Sequence, residues 1–248
     1  MTEPTPASEL MRVEPAPPPG RLLALGEVLL CSSVPTQFAI GALLALAGLR
    51  PQDTDGGLSL QFVFVLSVAD TLVLIALMVT LLHARGEDPR ALWLGTRPVR
   101  AEVLRGLVLI PAVFLMVVVL LNVLRAAAPW LHNLETNPLE QLAGTPAEAA
   151  MFAVVAIVAG GLREELQRAF LLRRFEQHLG GAAVGTVVLS VAFGFGHFVQ
   201  GWDAVVTTGA LGAFWAVLYL RRRSSVAPIV SHAGFNALEI LRVALVGS

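Results

Sequence analysis

Residues 147–172 read AEAAMFAVVAIVAGGLREELQRAFLL, an apolar run that ends on two carboxylates, Glu164 and Glu165. About 20 predominantly apolar residues suffice to cross the hydrocarbon core of a bilayer. Charge inside such a run is costly and by default marks a functional site. Two further apolar segments carry the same anomaly. His197 lies in SVAFGFGHFVQGW, and His232 with Asn236 lies in APIVSHAGFNALEI.

The rest of the chain fits a membrane setting. Of 248 residues, 56% are hydrophobic and 14% charged, against roughly a quarter charged in a soluble domain. The deficit runs along the whole chain, which predicts a multi-pass protein rather than a soluble domain with one anchor. Seven spans are expected, at 22–48, 59–82, 106–127, 147–172, 183–200, 204–220 and 226–246. The predicted fold is an all-α integral membrane helix bundle with its candidate functional residues in the C-terminal four helices. Residues 1–20, rich in Pro, Glu and Ala, are expected to form a disordered cytoplasmic tail, residues 21–128 accessory helices, and residues 129–248 the core.

Arginine placement orients the bundle. All 17 basic residues are Arg. Arg85, Arg90, Arg97, Arg100 and Arg105 fall in one connection, Arg173 and Arg174 follow the fourth span, and Arg221, Arg222 and Arg223 follow the sixth. The alternate connections are nearly free of Arg. Basic loops stay cytoplasmic, so the N-terminus is expected inside and the C-terminus outside, in what we read as a bacterial cytoplasmic membrane. A net charge of −1 gives no case for nucleic-acid binding. The single cysteine, Cys31, excludes an intrachain disulfide and a multi-cysteine metal site.

Helical spacing groups the polar residues. Glu164 and Arg168 are four apart and can pair, while Glu165, three from Arg168, can compete for it. One Arg neutralises one carboxylate and leaves the other as a general base. Phe193 with His197, and His232 with Asn236, repeat the four-residue spacing. An Asn can hold an oxyanion or serve as interhelical glue. Glu239 and Arg242 can pair at i, i+3. Glu27 and Asp70 have no partner visible in the sequence. Trp93, Trp130 and Trp202 sit at span edges, as interfacial anchors do. Thr145-Pro146-Ala147-Glu148 has the form of a helix start.

These residues resemble the motifs of the CPBP family, the CAAX prenyl protease and bacteriocin-processing group also called Abi. Its core carries E-E-x-x-x-R, F-x-x-x-H and H-x-x-x-N or H-x-x-x-D. Here Phe193–His197 matches the second and His232–Asn236 the third. The first departs, because Glu164-Glu165-Leu166-Gln167-Arg168 has two residues between pair and Arg. With Arg168 as anchor, Glu164 takes the second acidic place and Arg163 the first. With the pair as anchor, Ala169 replaces the Arg. The base is thus open between Glu164 and Glu165, and the continuation AFLLRRF favours Glu164.

The resemblance implies an intramembrane endopeptidase acting on a membrane-associated peptide or protein. A Glu and His197 would activate water, and His232 and Asn236 would hold the oxyanion. A divalent metal such as Zn²⁺ is compatible with Glu164, His197 and His232, but the residue types do not require one. The alternatives are a catalytically inactive homologue acting as a membrane binding or immunity protein, and a proton-coupled transporter using Asp70. Depth counted along straight helices does not bring all the candidates together, so the fifth span must start late, tilt or bend. A site reached from the cytoplasmic side is expected.

Overall fold

In a computed structural model, residues 20–53 and 56–246 are described. The tail expected over 1–20 therefore falls, but for Gly20, outside them. The described chain is helical, with one isolated bridge between Gln52 and Leu58 and no strand. Ten α-helices follow in order: α1 Arg21–Leu30, α2 Val34–Leu46, α3 Leu60–Ala84, α4 Pro89–Trp93, α5 Val99–Ala127, α6 Pro146–Val155, α7 Glu164–His178, α8 Ala182–Phe195, α9 Trp202–Arg222 and α10 Val226–Val246. The protein is an all-α multi-pass membrane bundle. Each predicted span coincides with a helical segment. Four of these, Arg21–Leu46, Leu60–Ala84, Val99–Ala127 and Trp202–Arg222, are by length and composition long and apolar enough to cross a membrane.

Local chemistry explains several details. The first span is broken at Cys31–Ser33, where Ser33 takes φ +70° before Pro35 opens α2. Thr145 and Glu148 form the capping box that starts α6. Between α6 and α7, Ala156–Arg163 widens into a π-helical segment, so 146–178 is one continuous rod. Such bulges appear where a helix must be re-phased, often at functional sites. Gly160 and Gly161 lie in it because α10 passes too close for a side chain. A Cβ on Gly161 would stand 2.5 Å from that of Ala233, and one on Gly160 would stand 2.6 Å from the Asn236 amide nitrogen.

The two ends of the bundle are chemically unlike. At one end the Arg-rich connections lock together. Arg174, fully buried, is clasped by Glu27 at 2.6 Å and by Glu87. Arg85 also binds Glu27, Arg222 binds Glu102, and Arg223 binds Glu176 at 2.7 Å. The Ser225 amide donates to the Trp93 carbonyl at 2.7 Å, closing the connection after α9 onto α4. Glu27, without a visible partner in the sequence, is thus held by two arginines. Trp93 is no interfacial anchor either, since its indole packs inward and donates to the Leu166 carbonyl at 3.1 Å. At the other end, the connection from α5 to α6 makes two 3₁₀ turns, Pro129–Leu131 and Pro138–Ala143. His132 reaches Asp203 at 2.8 Å, and Arg242 pairs with Glu239, as the spacing predicts.

Candidate active site

The two adjacent carboxylates face different surroundings. Glu165 is buried, with 1% exposure. Its Oε2 accepts from Arg168 Nε at 3.1 Å, and its Oε1 accepts from Arg168 Nη2 at 3.3 Å and meets His232 Nδ1 at 2.9 Å. Arg168 therefore pairs with Glu165 at i, i+3 rather than with Glu164 at i, i+4. Glu164 instead lies on the wall of a cavity, with its side chain about one-fifth exposed. Its Oε1 accepts from Arg163 Nη2 at 3.3 Å, and its Oε2 stands 4.0 Å from His232 Nε2. Consecutive helix positions point about 100° apart, which separates one carboxylate for the core from one for the cavity.

His232 is the best-held side chain of the group. Its ring stacks on Trp215 at 3.7 Å and 15°, and the Trp215 indole donates to Ser231 Oγ at 3.1 Å. Phe193 supports the same assembly from α8. It sits edge-on to His232 at 6.0 Å and to His197 at 4.8 Å, and the Arg168 guanidinium lies 4.6 Å over its ring. Asn236, one turn beyond His232, donates from Nδ2 to the Ala156 carbonyl at 3.0 Å, bridging α10 to the start of the π-helical segment.

His197 lies beyond the end of α8, in the turn that leads to the 3₁₀ turn Phe198–Gln200. The fifth span is thus shorter than expected, and a turn does what tilt or bending was expected to do. His197 Nδ1 meets the Phe193 carbonyl at 2.8 Å. A carbonyl only accepts, so Nδ1 carries a proton, and in the neutral ring Nε2 is an acceptor. His197 lines the same cavity as Glu164, His232 and Asn236, but it makes no hydrogen bond with them.

Asp70 is fully buried and its partner is Arg163, at 2.9 Å. Thr36 also donates to Asp70, and Gln37 Nε2 does so at 3.3 Å. Ser33, at the break of the first span, receives both Arg163 and Gln167, the latter at 3.1 Å. Gln167 also donates to the Cys31 carbonyl at 2.6 Å. Sequence reasoning found neither Arg163 nor Trp215 as site neighbours. The available signals were an arginine directly beside the Glu pair and a Trp at mid-span rather than at a span edge.

The cavity has a volume of about 590 Å³ and reaches the end formed by Glu135, Asn137, Gln200 and Arg242. It takes no residue from the Arg-rich connections. The cavity thus extends toward the end away from those arginines. Among the described residues, no three His, Cys, Asp or Glu side chains are grouped so that they could hold a metal ion. With His232 Nδ1 turned to Glu165 and His197 set off in its turn, Glu164, His197 and His232 as arranged do not form a ligand set.

Residues 145–238 match the family model described as "Type II CAAX prenyl endopeptidase Rce1-like". Over that stretch, 94 of the 248 residues, the chain is similar to the CAAX endopeptidase family. The matched segment starts at the Thr145 cap and includes Glu164, Glu165, His197, His232 and Asn236. Comparisons with curated proteins and with solved structures returned no match. The likeness is to a family of membrane endopeptidases, and the helices before residue 145 lie outside the matched region.

Proposed function

We propose that the protein hydrolyses a peptide bond of a membrane-associated substrate, with Glu164 as general base. The observation that carries this is the division of labour in the Glu pair. Glu165 is consumed by Arg168 and His232, whereas Glu164 faces the cavity with one edge free. A water oxygen attacks the substrate carbonyl carbon as one of its protons passes to Glu164, and His197 Nε2 offers a second acceptor for that water. The C–O bond forms and the carbonyl π electrons move onto oxygen. Collapse of the tetrahedral intermediate breaks the C–N bond, and the proton held by Glu164 goes to the leaving amine.

His232 and Asn236 supply donors for the oxyanion. His232 Nδ1 is taken by Glu165, which leaves Nε2 facing the cavity 4.0 Å from Glu164 Oε2. The second Asn236 amide hydrogen can join it. Preorganised donors aimed at a developing oxyanion are worth about 10²–10³ in rate each. The basic connections lie on the cytoplasmic side in this reading, with the N-terminus inside and the C-terminus outside.

Comparative N-terminal proteomics tests the assignment, using membranes from cells expressing wild type, Glu164→Gln, Glu165→Gln or His197→Ala at matched levels. New termini that appear with wild type and vanish with Glu164→Gln identify both the activity and a substrate. Identical termini in all four, with every protein inserted and folded, would reject proteolysis in favour of a membrane binding protein.

A further inference from the structure

The site is buried in a rod-like bundle, so its usefulness to a substrate depends on which end is open. Three separate connections carry the clustered arginines: 84–105, the end of α7, and the turn between α9 and α10. Each is tied to the others by buried or half-buried pairs, from Glu27–Arg174 to Arg222–Glu102. Arg97 Nε also donates to the Arg222 carbonyl at 3.0 Å, and a Cβ on Gly95 would stand 2.0 Å from the Arg223 carbonyl oxygen. That end is shut by packing and by charge.

The cavity runs the other way. From Glu164 and His232 it passes His197 and ends among Glu135, Gln200 and Arg242. Its walls there are the 129–145 connection, the turn after α8 and the far end of α10. Hydrogen bonds between these walls shape the mouth without filling it. Asn137 Nδ2 donates to Gln200 Oε1 at 3.2 Å, and the Trp202 amide donates to Asn133 Oδ1 at 2.9 Å.

Clustered arginine marks the cytoplasmic face, and the rule is strongest for short connections such as these. We infer that the catalytic cavity opens to the non-cytoplasmic face of the membrane, and that its substrate is a peptide segment presented from that side. This deepens the endopeptidase reading and rests on it for the word substrate, while the sidedness stands on the arginine pattern and the cavity alone. A cavity of about 590 Å³ lies within the roughly 300–1,000 Å³ of ordinary ligand sites. It therefore admits a few residues of extended chain rather than a folded domain. A soluble cytoplasmic C-terminus would meet the closed, arginine-paired end.

Cysteine accessibility tests this without depending on activity. Cys31, the natural cysteine, is fully buried. Glu135→Cys places a thiol at the mouth, and Arg90→Cys places one at the closed end; both native side chains are exposed. Intact cells are treated with a membrane-impermeant maleimide before and after lysis. The expected result is that Glu135→Cys labels in intact cells and Arg90→Cys labels only after lysis. The opposite pattern overturns the inference. A second arm uses the Glu135→Cys protein and the substrate found by terminal proteomics. Pre-labelling with a bulky impermeant maleimide is expected to lower cleavage at least tenfold, and undiminished cleavage means that substrate reaches Glu164 by another route. If labelling follows the expected pattern but wild type generates no new termini, the protease reading fails and the sidedness stands.

Discussion

Gly161→Ala tests whether close approach of α10 to the π-helical segment is what sets His232 in place. The added methyl would lie 2.5 Å from Ala233 Cβ, 2.7 Å from its Cα and 2.9 Å from its nitrogen. Ordinary carbon–carbon contact begins near 3.5 Å, so α10 must retreat by about 1 Å at the residue next to His232. The His232–Glu165 hydrogen bond, 2.9 Å long, would then stretch to roughly 4 Å, past the limit for a hydrogen bond. Two effects on stability oppose each other. Ala for Gly within a helix gains about 0.5–1 kcal/mol, while overpacking costs about 1–3 kcal/mol. The net is a modest loss, which thermal unfolding in detergent would show as a small fall in the midpoint. Cleavage is expected to fall far more, because about 1 Å of misplacement at a reacting group costs on the order of 10²-fold. Gly41→Ala is the control, since its methyl would meet nothing nearer than Phe62 at 4.0 Å. A Gly161→Ala protein that cleaves at the wild-type rate would refute the reasoning.

Glu165→Ala leaves Arg168 buried without its carboxylate, and breaking such a pair costs about 3–5 kcal/mol. It should therefore lower the unfolding midpoint sharply, whereas Glu164→Ala, at the partly exposed cavity wall, should change it little. Arg163→Leu and Asp70→Leu each strand a buried charge. The double variant leaves only the partly exposed Glu164 without its arginine, so its denaturation midpoint should lie closer to wild type than that of Arg163→Leu, and strict additivity would show that Asp70 and Arg163 are not coupled. Dialysis against a chelator is expected to leave cleavage unchanged. A loss that Zn²⁺ restores would show that Glu164, His197 and His232 gather as ligands.

What could be read in advance follows from the range of each interaction. The spans, the Thr145 capping box and the Glu239–Arg242 pair depend on neighbours within a turn or on composition over a window, so periodicity and spacing display them. Asp70 and Arg163 are 93 residues apart, and Glu27 and Arg174 are farther still. No local pattern joins them, and Asp70 and Glu27 were legible only as unexplained charges in apolar runs. The position of His197 was hidden for a related reason. Depth counted from helix ends treats each span as a full crossing. The short α8 ends before His197, however, and leaves that residue in a turn at the mouth. Trp215 was invisible because stacking under His232 needs α9 and α10 to be adjacent, which only their shared packing reveals.

The shortened first motif shows how a departure from a pattern can leave an arrangement intact. With two residues instead of three between the Glu pair and Arg168, the contact to the Arg becomes i, i+3, still on one face of a helix. Glu165 can therefore take the Arg, and Glu164 is turned about 100° away. That rotation is useful only if it points Glu164 to the cavity and not to lipid. The π-helical segment ends at Arg163, directly before the pair, and its extra width re-phases α7 against α6. The same segment carries the two glycines that admit α10, and its first carbonyl, at Ala156, receives Asn236. Arg163 completes the fit from the other flank, because its guanidinium spans Asp70 of α3 and Glu164. One carboxylate is thereby held for the core and one for the cavity, by a helix whose irregular turn lies at the site itself.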